Sequence, residues 1–85
     1  MALLFIGIDP ETGQSGSPTV WVDTDTSDLV LQGYIADDRT RERCVQNTAP
    51  GHDKGIPSHE TVIRFPAHLV PLLREACDAA ERAAL

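Results

Sequence analysis

No lysine or arginine occurs before Arg39, whereas seven acids do: Asp9, Glu11, Asp23, Asp25, Asp28, Asp37 and Asp38. A surface of that sign repels the phosphates of nucleic acids and membranes, which hold their ligands through cationic contacts, so direct binding to either is not expected. The chain also lacks the apolar run of about 18 residues that a membrane span requires. Neither G-x-G-x-x-G nor G-x-x-x-x-G-K-[ST] occurs, which removes the common phosphate-cradling motifs. The opening "MALLFIGIDP" has no basic residue ahead of its apolar run and no small-residue cleavage site after it. It is expected to be a first β-strand in a cytoplasmic protein and not an export signal. Only two cysteines are present, Cys44 and Cys77, and in that compartment both are expected as reduced thiols.

What remains is an ordinary globular composition, 41% hydrophobic and 24% charged over 85 residues, with a formal net charge of −6. That length implies a single domain, residues 1–85, with one modest core and no room inside it for a deep cleft. Function is therefore expected at the surface.

"LLFIGI", residues 3–8, is apolar at every side chain and reads as a strand in the middle of a sheet or one covered on both sides, with Leu4, Ile6 and Ile8 on one face. The turn formers of "DPETGQSGSP" follow as a surface loop. "TVWV" (19–22) and "LVLQGYI" (29–35) predict a hairpin, with Leu29, Leu31 and Ile35 together on one side. Residues 36–60 are polar and broken by glycine and proline. A short helix is expected over about Asp38 to Gln46, capped by Asp37 or Asp38, and long polar loop for the rest. "TVIRF" (61–65) reads as a last strand. "PAHLVPLLREACDAAERAAL" closes as a helix from about His68, burying Leu69, Leu72, Leu73, Ala76, Ala80 and Ala83, with Pro71 in its first turn. Arg74–Asp78 and Asp78–Arg82 are spaced to pair along that helix. The fold class expected is α+β: an antiparallel sheet of three or four strands with one C-terminal amphipathic helix packed on it.

The stretch "WVDTDTSDLVLQGY" sets acids and hydroxyls at alternate positions, as a calcium loop does. Asp28 stands where that loop needs glycine and Tyr34 where it needs a bidentate glutamate, so the same residues read better as a polar hairpin tip. Cys44, His52, His59 and Cys77 are zinc ligands in kind, and a metal-binding or thiol-based sensor built on them is the alternative function. Their gaps of seven, six and seventeen residues provide none of the close pairs of a structural zinc site. Cys44 with His52 or His59 and Asp53 or Glu60 offers nucleophile, base and acid types without any spacing that fixes their geometry. No catalytic residue and no cofactor is assigned.

Two features suit binding. Trp21 and Tyr34, the only Trp and Tyr, flank the acidic tip and are amphipathic anchors of the kind interfaces favour, although a cross-strand pair supporting the fold would account for them equally. Arg39, Arg41 and Arg43 alternate just beyond and are able to meet acids.

The segment "VIRFPAHLVPLLREA", preceded by a "VWV…D…LVLQG" hairpin, resembles the small acidic BldB-like proteins of actinomycetes over residues 19–35 and 61–78. The resemblance implies a cytoplasmic, non-enzymatic accessory of a helix-turn-helix transcription regulator. The charge pattern leads separately to a basic protein partner, met by Trp21, Asp23, Asp25, Asp28 and Tyr34 with Arg39, Arg41 and Arg43 next to them. Homo-oligomers through an open sheet edge are a further expectation.

Overall fold

The computed structural model describes residues 2–11, 13 and 16–84. Its elements are β1 (Leu3–Ile8), β2 (Thr19–Asp23), β3 (Asp28–Gln32), β4 (Tyr34–Ile35), α1 (Asp38–Gln46), β5 (Ile63–Arg64), a 3-10 turn (Ala67–Leu69) and α2 (Val70–Ala84). They fall into two compact units, Met1–Gly33 with Phe65–Leu85, and Tyr34–Arg64.

The first unit is a small α+β arrangement, an antiparallel sheet in the order β1-β2-β3 with α2 packed against it. The central strand β2 is the most apolar in its surroundings, and alternation sends Val20 and Val22 toward the helix, where neither retains any exposure. Leu4 and Leu29 lie opposite Val22, and Leu31 opposite Val20. From the helix, Ala76 and Ala79 complete the buried cluster, with Ile6, Leu72, Leu73 and Ala80 packed around it. Alanines at the contact let the helix come close to the sheet, so two valines suffice as its centre. The expected helical stripe is therefore present through Ala80, with Ala79 added to it, whereas Ala83 is exposed.

β1 departs from its sequence reading in two ways. It is an edge strand, and Leu3, Phe5 and Ile8 are each about half exposed. An apolar run reports only that polar residues are missing, which a covered strand and a sticky edge share. The inward phase also changes along it: Phe5 pairs with Trp21, but Gly7 pairs with Val20, so one extra residue is accommodated between them. This bulge gives Gly7 the helix-facing place and sets Ile8 opposite Thr19, which separates Ile8 from Leu4. A Cβ at Gly7 would stand 2.6 Å from Leu72 Cδ2, so the absence of a side chain there admits the helix.

In the second unit, β4 and β5 form a two-stranded ladder, Tyr34 opposite Arg64 and Ile35 opposite Ile63, extended by a hydrogen bond from Ala36 N to Val62 O (3.2 Å). The strand expected to run to Ile35 thus stops at Gln32, and Ile35 is 87% exposed instead of sharing a face with Leu29 and Leu31. The last strand is likewise two residues where five were expected. α1 matches its expected span, because its start is set locally: the Asp37 carboxylate accepts from Thr40 N at 2.8 Å. Residues 48–60 hold no helix or strand, only irregular chain with short turns closed by bonds such as His52 N to Ala49 O (3.1 Å) and Glu60 N to Pro57 O (3.0 Å). Among the described residues, no helix is long and apolar enough to cross a membrane.

Candidate functional site

The acidic stretch is the tip of the β2–β3 hairpin, with Asp23 and Asp28 opposite each other at its base. Asp23 is buried, and its Oδ1 accepts from Asp25 N (2.9 Å) and, at longer range, Thr26 N (3.4 Å). Ser27 N donates to Asp23 O (2.7 Å), Asp28 N donates to Thr26 Oγ1 (3.2 Å), and Ser27 takes a positive φ of 65° to close the turn. The carboxylate of Asp23 is therefore committed to the turn, as Asx chemistry predicts for this residue type. Asp25 and Asp28 are exposed, and the acidic face of the tip is theirs.

Trp21 lies on the sheet face opposite Val20 and Val22, half-buried between Phe5 and Val30 in register. The sequence reading allowed a Trp21–Tyr34 cross-strand pair; the register replaces it, because Tyr34 pairs with Arg64 in the second unit, where it is 50% exposed. Arg39, Arg41 and Arg43 also belong to the second unit, on α1. Helical spacing separates them: Arg39 and Arg43 are one turn apart and exposed, and Arg41, half-buried, lines a groove of about 570 Å³ with Asp38, Glu42, Val45 and Ile56.

The four residues of the metal alternative are divided between the units. Cys44, His52 and His59 share the second unit without clustering, Cys77 is exposed on α2 of the first, and Cys44 is absent from the groove lined by His52, Asp53, Lys54 and Glu60. Among the described residues the one cluster with metal-ligating groups close together is a different set, Asp9, Glu11 and His68, whose ligand atoms lie within 4.8 Å of one another.

This cluster is built where β1 ends. Pro10 halts the strand, Asp9 N donates to Pro18 O (2.9 Å), and the buried Asp9 carboxylate accepts from Glu11 N (2.9 Å). His68, delivered by the 3-10 turn, brings Nε2 to 3.1 Å from both Asp9 oxygens and to 3.1 Å from Glu11 Oε2. The bond from the Glu11 amide, joined by that from His68, holds the Asp9 carboxyl below its ordinary 3.8. Hydrogen bonding to Asp9, reinforced by the charges of Asp9 and Glu11 and opposed by burial, raises His68 above its ordinary 6.5. A protonated imidazole facing two carboxylates pairs with both, and in that state it clasps the β1–β2 loop to the turn before α2.

The sign of its pH dependence follows. A raised imidazole stabilises the fold fully below 6.5, and that contribution fades as pH rises through its folded value; a depressed carboxyl stabilises above 3.8 and is lost as pH falls through its lower folded value. The gap in thermal midpoint between the native chain and His68→Gln should therefore be widest between about pH 4.5 and 6 and narrow toward pH 8. Melting curves across that range check this, and a gap independent of pH would show that the clasp carries no ionic component.

Asp9 and His68 were invisible in the sequence as a pair, being 59 residues apart with no motif at either. In comparisons with known proteins, no family model, no curated protein and no solved structure matches this chain.

Proposed function

We propose that this chain is a non-catalytic, cytoplasmic protein-interaction module that takes a basic protein partner and serves a helix-turn-helix transcription regulator as an accessory. One observation supports the reading above others. The first unit holds Asp9, Glu11, Asp23, Asp25, Asp28, Glu75, Asp78 and Glu81 against Arg74 and Arg82, whereas the second balances Asp37, Asp38, Glu42, Asp53 and Glu60 with Arg39, Arg41, Arg43, Lys54 and Arg64. The whole formal charge of −6 thus resides on the unit that also has a half-exposed apolar strand. Concentrated charge of one sign steers an oppositely charged protein into encounter, and apolar surface nearby retains it. The regulatory assignment leans on the BldB-like resemblance.

Asp25 and Asp28 are the contact residues of this reading, with Trp21 on the sheet beside them and Asp23 in a supporting role. Tyr34, Arg39, Arg41 and Arg43 lie where charges cancel and contribute little to such a field.

A helix-turn-helix regulator encoded next to the gene for this chain is the partner to test. Its affinity should fall roughly five- to tenfold when Asp25 and Asp28 are both changed to Asn, and the difference should shrink in high salt. Titration calorimetry at two ionic strengths measures both effects; equal affinities at low salt would remove Asp25 and Asp28 from the contact.

A further inference from the structure

Along the outer side of the sheet, β1 has no partner strand among the described residues. Thr24 N donates to Ala2 O (3.0 Å), and Asp9 N to Pro18 O (2.9 Å). In an antiparallel ladder these fix which residues face the neighbour, so Ala2, Leu4, Gly7 and Asp9 bond inward, and Leu3, Phe5 and Ile8 turn their N–H and C=O groups to the open edge. Edge strands are commonly guarded by lysine, proline or an inward charge. β1 contains none of these, whereas the opposite edge, β3, carries Asp28 and Gln32.

A groove of about 400 Å³ runs beside this edge, lined by Leu4, Phe5 and Ile6 of the strand and by Glu75, Asp78 and Arg82 of α2. The pairings expected along the helix do not form: no cation of the described residues lies within 4.0 Å of the Glu75 or Asp78 carboxylates, even though Arg74 and Arg82 are one turn from Asp78. The groove therefore combines unpaired backbone groups, apolar side chains and two carboxylates that no described cation approaches within 4.0 Å, against the single cation Arg82.

We infer that the outer edge of β1 is a docking site for an extended segment of a basic partner protein, which adds as a fourth strand with apolar residues beside Phe5 and Lys or Arg residues reaching Glu75 and Asp78. This rests on the reading that the partner is basic and adds where and how it binds. Main-chain bonds to Leu3, Phe5 and Ile8 supply the attachment, and alternate side chains supply the selection. On the helix side, a lysine or arginine covers Leu4 and Ala79 with its aliphatic stem while its charged end meets the carboxylates. A second copy of this chain is a poorer occupant, because its first unit brings the same formal −6.

The test uses the full chain and a soluble peptide of alternating Lys and Val. Hydrogen exchange at the Leu3 and Phe5 amides should slow at least about tenfold on adding the peptide, with little change at Asp25 or Asp28. N-methylation of the peptide at alternate residues, which keeps its charge and removes donors, should weaken binding about tenfold. Phe5→Lys should do the same while leaving the circular dichroism spectrum unchanged, as should Glu75→Lys with Asp78→Lys. Equal binding of the methylated peptide, or protection confined to the hairpin tip, would overturn the edge site while leaving a basic partner in place. Loss of response to Asp25→Asn and Asp28→Asn in the regulator titration bears on the charge reading alone. Concentration-dependent dimerisation abolished by Phe5→Lys would also overturn the proposal, by giving the edge to a second copy.

Discussion

Replacing Val22 with aspartate should abolish the cooperative thermal transition of the first unit. Val22 has no exposure, faces Leu4 on one side and Leu29 on the other, and belongs to the cluster formed with Val20, Ala76 and Ala79. No cation is part of that cluster. Burying an unpaired carboxylate costs several kcal/mol even after the surroundings relax, against a total stability of roughly 4–13 kcal/mol for a chain of this size. The control is Val30→Asp, one strand over on the opposite sheet face, where the side chain is half-buried beside Trp21 and its carboxylate has access to water. Val30→Asp should keep a single transition at a lower midpoint. Calorimetry of both variants separates the faces; a native-like melt for Val22→Asp would mean that the inward phase of β2 is reversed.

Gly7→Val should lower stability by about 1–3 kcal/mol, a fall of roughly 4–20 °C in midpoint. The three atoms nearest to a new Cβ all belong to Leu72, at 2.6, 3.1 and 3.4 Å. Rotation of Leu72 relieves part of this for Gly7→Ala, but the two methyls of valine follow the Cβ into the same space. Combining Gly7→Val with Leu72→Ala should then cost less than the two changes made separately, by about 1 kcal/mol or more. Strict additivity in denaturant titrations would show that the two positions do not compete for volume.

These two positions also mark how far the fold could be read from the sequence. Alternation in "LVLQGYI" put Leu29 and Leu31 on one side, and in the register they do lie opposite the buried Val22 and Val20. In "LLFIGI" the same rule failed at Ile8, since a bulge inserts one residue and nothing but Gly7 hints at it. The span of α1 was legible because a cap is a contact between neighbours, although the choice between Asp37 and Asp38 needed the structure, in which Asp37 accepts from Thr40 N. The division of residues 29–35 into β3 and β4 was not, because it depends on Val62, Ile63 and Arg64 arriving as partners from about 30 residues away. For the candidate site, the charge was visible and its chemistry only partly so. Asp23 had the residue type of a turn former as plainly as that of a contact, and the clasp of Asp9 by His68 needed the fold to exist before it could be seen.

The order of the chain has a consequence for how the first unit assembles. Its three strands are complete by Gln32, but the cover for Val20 and Val22 comes from α2, whose contribution lies at residues 72–80, and the whole second unit is translated in between. During synthesis the contacts within the hairpin and β1 become available before α2 has been made, and any sheet formed then has one face bare until the helix emerges. For that interval the nascent sheet presents apolar surface on both sides, and its carboxylates are the main deterrent to its sticking to another nascent copy. The carboxylates that give the first unit its formal −6 would then act on the chain first as a chaperoning device, before its helix cover is in place.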